Sequence, residues 1–271
     1  MTDHVQGIIQ ASKHSTSLNR WYVCPRPNPG AEIRLFVFPF AGGSSSAFTS
    51  WFDGFPGNVE AHFAHYPGRG SRYNEPPIRS LDSLVDNLFQ TIVPLTDKPF
   101  AFFCHSMGGL VAFELTRQLR GRNLPEPRIL FVSACGAPQI PDPHPPIHSL
   151  PDSEFLESLK KINGIPAEVF QHPEMMPLLT PMIRADFEAV ETYLFKPGDP
   201  PLGCSIIAFG GTEDPRVSRE RLEGWAFRTN SKFEIKYFPG DHFFVNSAKE
   251  SILQCMAAEI GALFAGNHPT I

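Results

Sequence analysis

The sequence has no excess of positive charge, no long apolar run and no paired cysteines, and each absence removes a class of protein. Lys and Arg number 23 against 28 Asp and Glu, a formal net charge of −5 over 271 residues. With a sequence pI near 6.1 and no basic stripe, the electrostatic footprint of a nucleic-acid binder is missing. No stretch reaches the roughly 18–20 consecutive apolar residues that a membrane-spanning helix needs. The first twenty residues are polar and lack the apolar h-region of a cleaved signal peptide, so the chain reads as cytoplasmic. Cys24, Cys104, Cys135, Cys204 and Cys255 are odd in number and never spaced as CxxC. That excludes a disulfide scaffold and a zinc ribbon, and it fits a reducing compartment. Tyrosine and tryptophan are few, 5 and 3 beside 24 Phe, so a large apolar volume carries few polar tips.

What is present is an alternation. Hydrophobic residues make up 42% of the chain, enough for a full core. Short apolar runs at 33–38, 59–65, 100–104, 129–133, 205–209 and 233–238 read as strands, several apolar at consecutive positions, as in a parallel sheet covered on both faces. Amphipathic helices separate them. Leu81, Leu84, Val85, Leu88, Phe89 and Ile92 recur at helical spacing behind Ser80, an expected N-cap. Ser247 and Glu250 are spaced as a capping box for a last helix bearing Ile252, Leu253, Met256, Ile260 and Leu263. Strands alternating with helices predict a βαβ architecture with right-handed crossovers and a mostly parallel central sheet. Residues 1–30 read as an extended, proline-punctuated lead-in to one α/β unit over 31–271. Within that unit, about 138–201 shows helical patches and no strand, which reads as a lid insertion.

The chemistry concentrates in three loops. Phe100–His105, Ser106, Met107-Gly108-Gly109 and the apolar spacing that follows place a serine at a strand-to-helix turn, the setting of a nucleophile elbow. Such a turn lifts the hydroxyl clear of the sheet and offers free helix N-terminal amides to a developing oxyanion. The pattern departs from Gly-x-Ser-x-Gly at Cys104, a small residue in an apolar strand that reads as packing rather than chemistry. A serine nucleophile needs a base and an orienting acid. Asp214 follows the Gly210-Gly211 turn after one late strand, and His242 follows the last strand in the loop Gly240-Asp241-His242. The order Ser106, Asp214, His242 is that of α/β-hydrolases. Glu213 remains an alternative acid, while Asp241 is badly placed because adjacent side chains diverge. The first-strand loop Pro39-Phe40-Ala41-Gly42-Gly43-Ser44 lets backbone amides approach a ligand oxygen, and it lacks the Gly-Lys-Ser/Thr of a phosphate loop. The amides of Met107 and Ala41, with Phe40 as the neighbouring alternative, are the expected oxyanion donors.

Taken together, Pro39–Ser44, Tyr66-Pro67-Gly68-Arg69-Gly70-Ser71-Arg72, His105–Gly109, Gly211–Asp214 and Gly240–Phe244 resemble a type II thioesterase, over roughly residues 20–265. These are stand-alone α/β-hydrolases associated with polyketide and nonribosomal peptide synthases. The resemblance implies hydrolysis of acyl groups from the phosphopantetheine arm of acyl or peptidyl carrier proteins, with no cofactor, and a lid over an acyl chamber at 138–201. A carboxylesterase or lipase, an acyltransferase or cyclase using the same acyl-serine, and a non-catalytic scaffold are the competing readings.

Other residues carry weaker signals. Arg69 and Arg72 suit either a phosphopantetheine phosphate or a braced turn. Met175 and Met176 suit either an adaptable acyl pocket or helix packing. His62 and His65, three apart in a strand, face opposite ways; His144 and His148 lie in a proline-rich stretch; no HExxH occurs, so no metal is expected. His105 is expected to pack beside the nucleophile.

Overall fold

The computed structural model describes residues 20–162 and 173–265. Among the described residues, seven strands form one sheet in the order β1-β3-β2-β4-β5-β6-β7. They are β1 Tyr22–Val23, β2 Ile33–Phe38, β3 Val59–Ala64, β4 Phe100–His105, β5 Ile129–Ser133, β6 Ser205–Gly211 and β7 Phe233–Phe238. β3 through β7 pair in parallel, and β1 lies antiparallel on the outer edge of β3, Tyr22 opposite Ala64. Six of the seven are the runs read as strands. β1 falls in the stretch read as a lead-in, because two residues show no periodicity. Residues 1–19 of that lead-in, and 163–172 of the 138–201 segment, lie outside the described residues.

Alternate side chains of each strand feed two cores. Phe36, Phe38, Phe102, Leu130, Val132 and Ile206 face helices α1 (Leu81–Ile92) and α2 (Met107–Gly121). Leu35, Val37, Phe103, Phe131, Ile207 and Phe209 face the 3-10 segment Ser45–Gly54 and a C-terminal helix. This two-sided burial absorbs the phenylalanine surplus: Phe36, Phe38, Phe100, Phe102, Phe103 and Phe131 are all fully buried. Ser80 caps α1 as expected, its Oγ accepting the Ser83 amide at 3.4 Å.

The capping box at Ser247 does not form. The chain already turns helical over Phe244–Ser247, because the buried Phe244 ring stacks on Phe238 at 5.8 Å, and Ser247 donates back to the Phe244 carbonyl. The last helix, Lys249–Ala262, starts after Ala248 without a side-chain cap.

Between β5 and β6 two helices, α3 (Asp152–Lys161) and α4 (Met176–Glu191), make a small core of their own from Ile147, Phe155, Leu159, Met176, Met182 and Ile183. Ring contact between Phe155 and Phe187 at 5.9 Å ties the two together.

At the sheet edge, Glu60 joins Arg34, His62 and the Asn28 amide at 2.8, 3.0 and 2.8 Å. Burial opposes ionisation of Glu60, but these hydrogen bonds outweigh it and hold its carboxyl down at about 2.

Two expectations follow. A depressed carboxyl pKa means that the unfolded chain takes up the proton first. The stabilisation is therefore complete above the ordinary value of 4.5 and is lost as pH falls from there to about 2. In urea titrations over this range, Glu60→Gln flattens the fall and lowers stability at pH 7 by about 2 kcal/mol. Secondly, α2 crosses the end of β2 so closely that a Cβ on Gly108 would sit 2.3 Å from the Phe38 carbonyl oxygen. Because that obstacle is backbone, Gly108→Ala costs about 2–3 kcal/mol, read as a fall of roughly 5–10 °C in Tm.

Candidate active site

In a parallel sheet the loops that follow the strands gather along one edge. Here that edge holds the loop after β2, the turn after β4 and the loops after β6 and β7. Ser106 sits directly after β4 with φ 52° and ψ −117°, a left-handed conformation costly for any residue with a side chain. Two backbone bonds hold the strain in place: the Ser106 amide donates to the Ser133 carbonyl, and the Gly109 amide donates to the Ser106 carbonyl, both at 2.8 Å.

His242 brings the imidazole to the serine. Its Nε2 lies 3.0 Å from Ser106 Oγ and its Nδ1 3.0 Å from Asp214 Oδ2. An ionised carboxylate can only accept, so Nδ1 carries the proton and Nε2 is left to accept from the serine hydroxyl. The Asp214 side chain is only 1% exposed, and its other oxygen accepts the amides of Arg216 and Val217 at 2.8 and 3.3 Å. The carboxylate is thus fixed by its own loop before it meets the histidine. The competing acids point elsewhere: Glu213 is exposed, and Asp241 Oδ1 accepts the Phe243 amide at 2.8 Å.

His105 packs behind the pair, its ring 5.5 Å from that of His242 and its Nδ1 2.9 Å from Ser133 Oγ. Full burial, reinforced by the neighbouring imidazole, pushes it well below the ordinary histidine value, so it stays neutral. The Cys104 thiol is fully buried and donates to the Phe131 carbonyl; burial pushes its pKa well up, which leaves it without nucleophilic character.

Met107 opens α2, so its amide has no acceptor inside the helix. In the loop after β2, the Gly43 amide donates to the Phe40 carbonyl at 2.8 Å and the Gly42 amide to Asp186 at 2.7 Å. Those two donors are occupied, which leaves Phe40 and Ala41 as the loop's candidates toward a ligand. Ser106, Met107, Phe40, Ala41 and His242 all line a cavity of about 560 Å³. Its far walls come from 134–146 and from Phe187, Val190, Tyr193 and Leu194 around the end of α4.

The structure decides between the alternatives left open for Arg69, Arg72, Met175 and Met176. Arg69 is buried on Asp186, and Arg72 pairs with Glu75 and lies 4.1 Å over the Trp21 ring, so both are braces rather than phosphate ligands. Met176 packs inside the small helical core and Met175 is exposed; among the described residues neither lines the cavity. His144 does line it, paired with Asp142 at 2.6 Å near Arg216 and Arg221, a cluster that no sequence spacing announced.

One Cys/Glu/His group, Cys24, Glu60 and His62, has its ligand atoms within 4.8 Å of one another. Both Glu60 oxygens are already engaged, and burial pushes the Cys24 thiol up to about 11, so the group reads as an ion-pair network. Among the described residues no helix is long and apolar enough to cross a membrane.

The thioesterase domain family matches residues 33–260 of the chain. Gramicidin S biosynthesis protein GrsT of Aneurinibacillus migulanus is 40% identical over 250 residues, 92% of this chain and 97% of its own. ClbQ from the colibactin NRPS/PKS pathway superposes with a TM-score of 0.82 at 32% identity, covering 86% of this chain and 98% of that one. YbtT, a type II thioesterase from the yersiniabactin NRPS/PKS pathway, superposes with a TM-score of 0.80 at 29% identity, covering 90% of this chain and all of that one (100%). With this match across most of its length and the parallel sheet beneath it, the chain belongs to the thioesterase family: it is a thioester hydrolase of α/β-hydrolase fold, of the type II kind found in polyketide and nonribosomal peptide systems.

Proposed function

We propose that this thioesterase hydrolyses acyl or peptidyl groups from the phosphopantetheine arm of carrier proteins in the cytoplasm, through an acyl-Ser106 intermediate. The observation that carries the reading is the hydrogen-bonded chain from Asp214 through His242 to Ser106, 3.0 Å at each step, opening on one large cavity.

The chemistry follows from the geometry. His242 Nε2 takes the Ser106 proton as Oγ attacks the thioester carbon. Asp214 holds the imidazole in the tautomer that can do so and stabilises the imidazolium that results. The carbonyl oxygen becomes an oxyanion, held by the amides of Met107 and Ala41. Collapse breaks the C–S bond, and His242 returns the proton to the departing pantetheine thiolate. Water then enters, gives a proton to His242 and attacks the acyl-serine; a second collapse frees the acid and restores the serine. The α/β unit over 31–271 supplies these groups. The 138–201 insertion serves as the lid of the acyl chamber, and Phe187, Val190 and Tyr193 form part of its apolar wall. No cofactor enters any step.

Carrier proteins loaded with short and medium acyl groups, run beside the matching free acyl-pantetheine thioesters, test the proposal. Native enzyme releases acid faster from the carrier, and Ser106→Ala loses at least about 10³-fold. Asp214→Asn keeps the fold and lowers kcat by about 10³–10⁴, measured under saturating substrate. Oxygen esters of the same acyl groups turning over faster than thioesters would instead support an esterase. Acyl transfer to an added amine with little acid formed would support a transferase.

A further inference from the structure

Arg69 and Asp186 stand 117 residues apart in sequence and meet as a doubly hydrogen-bonded ion pair, with side chains 4% and 3% exposed. Both guanidinium–carboxylate bonds are 2.7 Å long. A buried ion pair is a poor way to add stability, since an apolar pair of similar volume often does as well or better. Arg69 Nε also donates to the Pro67 carbonyl at 3.3 Å within its own turn, but two further contacts of the pair show a different use, because each reaches the loop after β2. Asp186 Oδ2 also accepts the Gly42 amide at 2.7 Å, and Arg69 Nη1 also donates to the Gly43 carbonyl at 2.8 Å.

The loop can be followed one peptide plane at a time. The Phe40–Ala41 plane is anchored by its carbonyl, which accepts the Gly43 amide at 2.8 Å. A trans peptide sets its N–H opposite its C=O, so the Ala41 N–H points away from that turn. The Ala41–Gly42 plane is anchored by the Gly42 N–H on Asp186. The Gly42–Gly43 plane is anchored by the Gly43 N–H on Phe40, and the Gly43–Ser44 plane by its carbonyl on Arg69. Four consecutive planes are held, two of them by the ion pair. Contact from the same helix reinforces this: Gly42, at φ 78°, lies so close to Ile183 that a Cβ would sit 3.1 Å from its Cγ1.

We propose that Asp186 and Arg69 are positioning residues for thioester hydrolysis: together they lock the loop after β2 and aim the Ala41 amide at the carbonyl oxygen of the substrate. The proposal rests on the reading of Ala41 as an oxyanion donor. It also makes the seating of helix α4 a condition for a complete oxyanion hole, since Asp186 belongs to that helix.

The test compares Asp186→Asn, Arg69→Lys and the apolar double variant Arg69→Met/Asp186→Leu with native enzyme. Four quantities are read on one acyl-pantetheine series. These are kcat and KM for the thioester, affinity for a trifluoromethyl ketone analogue that forms a tetrahedral adduct, and affinity for a thioether analogue with no carbonyl. Losing the aim of one oxyanion donor predicts a fall in kcat of about 10- to 100-fold. KM and thioether affinity stay within about twofold, while ketone affinity falls in step with kcat. Should the single variants fail to fold, the double variant decides: native-like melting with the same selective loss of kcat and ketone affinity supports positioning. Native kcat in any folded variant overturns the proposal, as does an equal loss of ketone and thioether affinity. Ser106→Ala separates this from the reading beneath it. If that variant is inert while Asp186→Asn keeps native kcat, only the positioning role fails; if Ser106→Ala still releases acid, the acyl-serine reading fails with it.

Discussion

Much of this structure depends on one tight crossing, where helix α2 starts immediately after β4 and passes over the end of β2. Gly108 lies against the Phe38 carbonyl with no room for a methyl group, and Ser106 just before it adopts a strained left-handed conformation. The crossing brings the start of α2 beside the loop after β2, so Met107 and Ala41 line the same cavity wall as the serine. The cost of the strained serine is borne by the surroundings: a backbone bond to β5 on one side, one to Gly109 on the other, and a sheet whose two faces are packed with phenylalanine.

The other groups of the site approach the crossing from loops that are rigid for separate reasons. Asp214 is immobilised by two amides of its own turn. His242 sits between that carboxylate and the serine, backed by the neutral, buried His105, which itself packs on the rings of Phe243 and Phe244. The loop bearing Ala41 is tied to the long helix of the 138–201 segment through Asp186 and Arg69. The helix whose end helps to wall the cavity also holds the backbone from which an oxyanion donor is expected.

Local pattern was enough to read six of the seven strands, α1 with its cap, the strand-to-helix turn at Ser106 and the order of Ser106, Asp214 and His242. These features are written within a few residues of one another, as apolar periodicity, a capping hydroxyl or a glycine turn after a strand. Local reasoning failed where side chains chose distant partners. Arg69 reads as a brace or as a phosphate ligand until Asp186 is placed beside it. Met175 and Met176 read as either pocket lining or helix packing until the small core of α3 and α4 takes up Met176 and leaves Met175 exposed. The capping box at Ser247 was sound as a spacing and was overridden by the burial of Phe244 one turn earlier.

The sequence by itself determined the alternation of strand and helix, and with it a parallel sheet whose strand-following loops share one edge, because two-sided burial and tight turns are encoded residue by residue. It also placed Ser106, the adjacent acids Glu213 and Asp214, and His242 in those loops. Only the tertiary structure decided that Asp214 rather than Glu213 meets the imidazole, that β1 closes the sheet edge, and that Asp186 reaches across to Gly42. Each of these is a contact between segments far apart in the chain. Their partners are selected by the direction in which packed elements point side chains and amides, and no local spacing carries that information.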